Sequence, residues 1–126
     1  MILVDSDILV AHLRGHAAAR AWLRAAREQG RLAASAVTAT ELTGGMRSPE
    51  RREVARLLST LNLKPVTLPI ARRAGSLMRS HGASHSGIGL GDYLIAATAE
   101  VLGLQLATLN VRHFPMFGDL EPPFSA

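Results

Sequence analysis

The chain has 126 residues, 48% of them hydrophobic and 19% charged, and no cysteine. That composition excludes a disordered chain, a disulfide-stapled scaffold and a thiolate metal site, and the length fits one domain, 1–126. Fourteen Lys and Arg against ten Asp and Glu leave a formal charge of +4, with Lys64 the only lysine. Forked arginine donors match phosphate oxygens, so a polyanionic partner is favoured over a merely solvated basic surface.

In chain order, "ILVD" reads as a short buried strand that ends in Asp5. "DILVAHLR" follows as a helix, capped by Ser6 or Asp7 and broken at Gly15. "HAAARAWLRAAREQG" is an amphipathic helix with Ala18, Trp22, Leu23 and Ala26 on its apolar side and Gly30 as its stop. "RLAAS" is a second strand, and "VTATELTGGMR" a short helix carrying Glu41. Pro49 suits the first turn of "SPERREVARLLSTL". "KPVTL" reads as a third strand, "PIARRAGSLMRSHG" as a helix and "ASHSGIG" as a loop. "GDYLIAATAEVLG" is a helix opened by Asp92, "LQLATLN" a last strand reaching Asn110, and "VRHFPMFGDLEPPF" an irregular tail. No basic stretch runs into an apolar one at the N-terminus, and the most apolar segment is interrupted by Glu100 and Gln105. A cytoplasmic protein without membrane association is therefore expected.

Strands alternating with helices imply an α/β fold, with right-handed crossovers and a parallel sheet covered on both faces. In such sheets, sites form beyond the carboxyl ends of the strands. Asp5, Glu41, Asp92 and Asn110 all fall at that edge, although they are far apart in sequence. Three carboxylates brought together repel one another unless a proton or a cation lies among them. Hard oxygen donors suit Mg²⁺ or Mn²⁺, which can activate a water and stabilise charge growing on a phosphoryl group.

Each residue also has a plainer role. Asp5 could simply end a strand, although an acid directly after a buried run is costly without a partner. Glu41 alone is equally well an exposed helical acid, Asp92 a helix cap and Asn110 a turn residue. Arg20, Arg24, Arg27, Arg52 and Arg56 recur at helical spacing and read as solvated faces, and the five histidines lack metal-ligand spacing. "GIGLGD" is glycine-rich without the spacing of a phosphate-binding loop.

Taken together, "ILVDSDILV", "TATEL" and "GLGDYLIAATAEVLGLQLATLNVRHF" resemble the PIN domain, and specifically the VapC toxin ribonucleases of toxin–antitoxin systems. The resemblance runs from Met1 to about Phe117. It implies a PIN-like three-layer α/β/α fold and a Mg²⁺- or Mn²⁺-dependent endoribonuclease. Such an enzyme would hydrolyse phosphodiester bonds of RNA, in tRNA or rRNA, to 5′-phosphate and 3′-hydroxyl ends. It also implies a homodimer neutralised by a cognate VapB-like antitoxin, whose tail places a basic side chain in the acidic pocket. Carried over by position, Asp5, Glu41 and Asp92 are the catalytic, metal-holding acids. Ser6, Asp7, Thr108 and Asn110 support them, Arg112 and His113 are placed for phosphate contact, and the loop Gly82–Gly89 is placed to gate RNA entry. The family often has a fourth acid where this chain has Asn110, which puts a second metal in question; Asp119 lies further on.

Three other readings compete. Asp5-Ser6-Asp7 after a strand resembles the Asp-x-Asp motif of haloacid dehalogenase-type phosphatases, but Leu9 stands where Thr or Val is usual and no late acidic pair appears. A receiver domain needs a mid-chain aspartate and a late lysine that this chain lacks. A catalytically inactive PIN-like module that binds RNA or protein is the alternative from another class, and metal binding separates it from the enzyme.

Overall fold

The computed structural model describes residues 1–82 and 87–125. The elements are β1 (Ile2–Val4), α1 (Ser6–Leu13), α2 (Ala17–Gln29), β2 (Leu32–Ser35), α3 (Ala36–Gly45), α4 (Arg51–Ser59), β3 (Asn62–Lys64), α5 (Leu68–His81), α6 (Leu90–Leu102) and β4 (Gln105–Ala107). Short 3₁₀ turns cover Ser48–Glu50 and Val111–His113. The sheet has the order β3-β2-β1-β4 and every pairing is parallel, with Leu3 opposite both Ala33 and Leu106.

Alternate strand residues feed two cores, as the two-residue period of a strand requires. Leu3, Ala33 and Leu106 pack on one face against Ile70, Ala74 and Leu77 of α5, and Ile95, Ala96 and Ala99 of α6. Val4, Ala34 and Ala107 pack on the other face, against Ile8 and Leu9 of α1, Leu23 of α2, Leu42 of α3 and Val54 and Leu57 of α4. Among the described residues the result is the expected three-layer arrangement, two helices on one face and four on the other. Each buried Leu or Ile contributes about 1.5–3 kcal/mol by leaving water. Among the described residues no helix is long and apolar enough to cross a membrane.

Local details differ from the sequence expectations for identifiable reasons. Helix α1 begins one residue early, at Ser6, because Asp5 has extended backbone angles and its own carboxylate accepts the Ser6 N–H. Asp5 is therefore the cap, and neither Ser6 nor Asp7 is. Gly89 likewise caps α6, and Asp92 lies one turn in, its Oδ2 accepting the Gly89 N–H at 3.0 Å. The third strand lies at Asn62–Lys64, before Pro65, whose missing N–H cannot extend a ladder; Thr67 then caps α5. The buried stripe of α2 is Ala19, Leu23 and Ala26, with Ala18 exposed. Trp22 sits at the edge of this stripe beside Phe124, their rings 6.4 Å apart. Helix α6 ends at Gly103, whose φ of +65° is the left-handed conformation that lets its N–H and that of Leu104 turn back onto the last helical carbonyls.

Candidate active site

Because the strands are parallel, the ends of β1, β2 and β4 open onto one edge. The Asp5 N–H donates to Ala107 O at 2.9 Å, fixing the exits of β1 and β4 side by side. Asp5 is 5% exposed. Its Oδ1 accepts from the Ser6 N–H at 2.8 Å and its Oδ2 from the Thr108 hydroxyl at 2.7 Å. Ser6 Oγ also lies 3.2 Å from Glu41 Oε1 and 3.5 Å from Asp5 Oδ1, so one hydroxyl touches acids of two different elements. Glu41 sits on an exposed turn of α3.

Asp92 reaches the same edge from α6. A Cβ on Gly91 would lie 3.3 Å from Val37 Cγ1 and 3.8 Å from Glu41 Oε2. The absence of a side chain there lets the start of α6 close on α3, which brings Asp92 to the acidic cluster. The glycine-rich run before Asp92 is visible in the sequence, but its use as a close approach between helices is not.

Asp7 does not cap α1. It crosses to the end of β4, where its Oδ2 accepts from the Leu109 N–H at 2.9 Å and faces Thr108 Oγ1 at 3.1 Å. Its Oδ1 is buried and has no hydrogen-bond partner among the described residues. Thr108, fully buried, therefore lies between the carboxylates of Asp5 and Asp7, and its hydroxyl has only one proton to donate.

The burial of these two neighbouring acids has an electrostatic consequence. Burial, then the nearby charge of Asp7, pushes the Asp5 carboxyl from an ordinary 3.8 up to about 6, against the pull of the Thr108 and Ser6 hydrogen bonds, and Asp92 adds to the rise. Burial also raises Asp7. Glu41 is raised first by partial burial and further by the charges of Asp92 and Asp7, while its Ser6 hydrogen bond lowers it. The acids from three segments thus feel one another.

Thr108→Val is expected to destabilise the protein by about 1–3 kcal/mol, because Asp5 Oδ2 is deprived of its donor and the Asn110 N–H of the Thr108 Oγ1 acceptor it meets at 3.0 Å. Thr108→Ser keeps both bonds. Urea unfolding of the two variants separates them.

Asn110 and His113 occupy the turn after β4. Asn110 Nδ2 lies 2.9 Å from His113 Nδ1, and that nitrogen lies 3.1 Å from Asp92 Oδ2. His113 is thus turned onto Asp92, while Arg112 beside it is exposed. The pairing of His113 with an acid of another element has no signal in the sequence. The segment expected to gate the site, Gly82–Gly89, has residues 83–86 outside the described ones.

A second charged feature lies between α1, α2 and α4. Arg20, Arg24 and Arg27 of α2 and Arg56 of α4 line adjoining clefts of about 530 and 360 Å³, together with His12, Glu28 and Glu53. Among the described residues none of these four guanidinium groups forms an ion pair. The helical spacing of α2's arginines suggests a solvated face, whereas folding adds Arg56 and turns that face into one wall of a cleft.

Comparison with known proteins agrees with this fold. Residues 2–116 match the PIN domain family. Ribonuclease VapC10 of Mycobacterium tuberculosis is 65% identical over 125 residues, spanning 99% of this chain and 94% of that one. Ribonuclease VapC19 of the same organism is 46% identical over 98% of this chain and all of its own length. A toxin–antitoxin complex from Klebsiella pneumoniae contains a chain of the same fold, with a TM-score of 0.82, 26% identity and full coverage of both chains. These matches leave no place for the haloacid dehalogenase or receiver readings of the Asp5-Ser6-Asp7 stretch, and the chain belongs to the PIN-domain family and, within it, to the VapC ribonucleases.

Proposed function

We propose that the chain, a single domain over 1–126, is the toxin of a toxin–antitoxin pair. In this reading it is a Mg²⁺- or Mn²⁺-dependent endoribonuclease that cuts tRNA or rRNA, acts as a homodimer and is silenced by a VapB-like antitoxin. The observation that carries this reading is the meeting of Asp5, Glu41 and Asp92 at one sheet edge, in a chain 65% identical to a VapC ribonuclease. Likeness to a chain of a toxin–antitoxin complex supports the protein partner.

The residues fit a hard cation in donor type and charge: the edge offers carboxylate oxygens that raise one another's proton affinity, and the buried Asp7 Oδ1 lacks a partner among the described residues. Among the described residues no group of three His, Asp or Glu side chains stands arranged to hold a metal ion, so the fit is one of donor type and charge alone. Asp5, Glu41 and Asp92 would hold the ion. When bound, it supplies Lewis-acid stabilisation of phosphoryl charge and a water of lowered pKa. The chain's own residues do the positioning. Ser6 ties Glu41 to Asp5, Thr108 fixes the Asp5 carboxylate, and Asp7 locks the start of α1 to the end of β4. Arg112 is placed to meet a phosphate at the edge.

The arginines of the α1–α2–α4 cleft supply a docking track for the RNA backbone. Arg24→Glu with Arg27→Glu is expected to raise the KM for RNA about tenfold while leaving kcat unchanged. The slope of log affinity against log salt should become shallower by about 0.7 for each phosphate that is no longer neutralised. Steady-state cleavage at several salt concentrations measures both.

The function itself is tested by incubating the purified chain with tRNA and rRNA in MgCl₂ or MnCl₂. Discrete fragments that vanish with a chelator and in Asp92→Asn are expected. Identical fragments from parent and variant would overturn the assignment and bring forward the non-catalytic binding module.

A further inference from the structure

We propose that the outer edge of β4 is a docking site for a protein segment in extended form, one that alternates apolar and basic residues and adds itself to the sheet as a further strand. The site flanks residues 104–106, ahead of the strand exit where the acids meet, and is independent of the ribonuclease reading.

The backbone carries the first part of this inference. Among the described residues β4 ends the sheet, with β1 as its one strand neighbour. The parallel register sets Ile2 opposite Gln105, Leu3 opposite Leu106 and Val4 opposite Ala107. The Gln105 N–H donates to Met1 O and the Asp5 N–H to Ala107 O, so Gln105 and Ala107 turn their backbone groups toward β1. Backbone groups alternate in direction along a strand, so the Leu106 N–H and C=O point the other way, out of the sheet. Among the described residues neither meets a hydrogen-bond partner. Native sheets blunt such an edge with charged side chains, proline or a bulge. Here the exposed side chain of β4 is the uncharged Gln105.

The space beside the edge carries the second part. A cleft of about 620 Å³ is lined by residues 104–106 on one side and 116–121 on the other. The tail stands off from β4: the Phe117 N–H turns back to Phe114 O at 3.1 Å, and among the described residues no backbone bond joins 116–121 to the strand. Phe114, fully buried, anchors that wall, with the Phe117 ring 6.5 Å from its own. Met116, Phe117 and Leu120 are half-buried against the core and make the wall apolar. Asp119 and Glu121 flank Leu120, are exposed, and form no ion pair among the described residues. An open ladder beside an apolar wall with an unpaired acidic rim selects a strand whose side chains are alternately apolar and basic, and the same rim repels RNA. In strand addition the main-chain bonds supply affinity and the alternating side chains supply the choice of sequence.

The test uses the full chain and two labelled peptides, one alternating valine with lysine and the other valine with glutamate. Fluorescence anisotropy should show the lysine peptide binding at least about tenfold more tightly than the glutamate peptide, and Asp119→Lys with Glu121→Lys, both at exposed positions, should reverse that order. Amide exchange followed by NMR supplies a readout that a charge contact alone does not move. The Leu106 amide should exchange freely in the parent and slow at least about tenfold when the lysine peptide is added. Absence of binding, equal binding by parent and double variant, or binding that leaves the Leu106 amide unprotected would each overturn the proposal. Protection of that amide without peptide, rising with protein concentration, would assign the edge to a second copy of the chain and overturn it as well.

Discussion

Asp5→Asn is expected to abolish RNA cleavage and, at the same time, to stabilise the metal-free protein. The drop in activity should reach at least about 10³-fold, since a metal-holding carboxylate stands behind several kcal/mol of transition-state stabilisation and each 1.36 kcal/mol is tenfold in rate. The gain in stability comes from the same residue. Asp5 is 5% exposed and lies near Asp7 and Asp92, and ionising it in the fold is harder than in the unfolded chain, where its pKa is 3.8 against about 6. A difference of that size corresponds to about 3 kcal/mol of strain at neutral pH. Asparagine removes the charge and can still accept the Ser6 N–H, but its amide N–H₂ needs an acceptor, for which the Thr108 hydroxyl can turn. A net gain of about 1–2 kcal/mol is therefore expected in urea unfolding at pH 7.5 with chelator present. A variant that is inactive and less stable would mean that Asp5 serves the fold by its charge, contrary to the electrostatics of this edge.

The second large effect is a dependence of stability on pH and metal. A carboxyl whose pKa is raised by folding stabilises the native state while protonated. That contribution is complete below 3.8 and is lost as pH rises through about 6 for Asp5. Asp7 and Glu41 are raised too and add in the same sense. His12 opposes them, because partial burial and then the charges of Arg20 and Arg27 push its imidazole below the ordinary 6.5, which favours the fold at higher pH. With Asp5 the most strongly shifted group, the metal-free protein should unfold at a lower temperature at pH 7.5 than at pH 5. Adding Mn²⁺ at pH 7.5 should reverse the drop, by about 2.7 kcal/mol at a hundred times its dissociation constant. Asp5→Asn should flatten the pH dependence. Melting curves across pH, with and without MnCl₂, read all three effects, and a midpoint that rises from pH 5 to pH 7.5 without metal would contradict them.

The layered fold and the meeting of Asp5, Glu41 and Asp92 are legible in the sequence because both follow from topology. Alternating strands and helices make a parallel sheet, and a parallel sheet gathers its strand exits on one edge. What escapes is set by contacts across the chain. Asp5 takes the helix cap expected of its neighbours, because the strand-like backbone it carries as the end of β1 also suits a cap. Asp7 is drawn off by the Leu109 N–H, 102 residues away. Gly91 gains its meaning only from Val37 and Glu41 on another helix, and His113 from Asp92. Arg56 joins the α2 arginines through the packing of α4, which no local spacing encodes. Helical periodicity does find α2, yet it centres the apolar stripe one residue early, because Trp22 outweighs Ala19 in hydrophobic bulk while Ala19 fits the close contact.

Single-turnover RNA cleavage by Glu41→Gln, set beside Asp92→Asn, tests most directly whether acids from separate segments form one catalytic site. Glu41 is the most exposed of the three and the one whose sequence context is most ordinary, so it has least reason to matter unless the site is shared. A drop of at least about 10³-fold in both folded variants is expected. Cleavage by Glu41→Gln within about tenfold of the parent, with Asp92→Asn inactive, would contradict a single site built from all three acids.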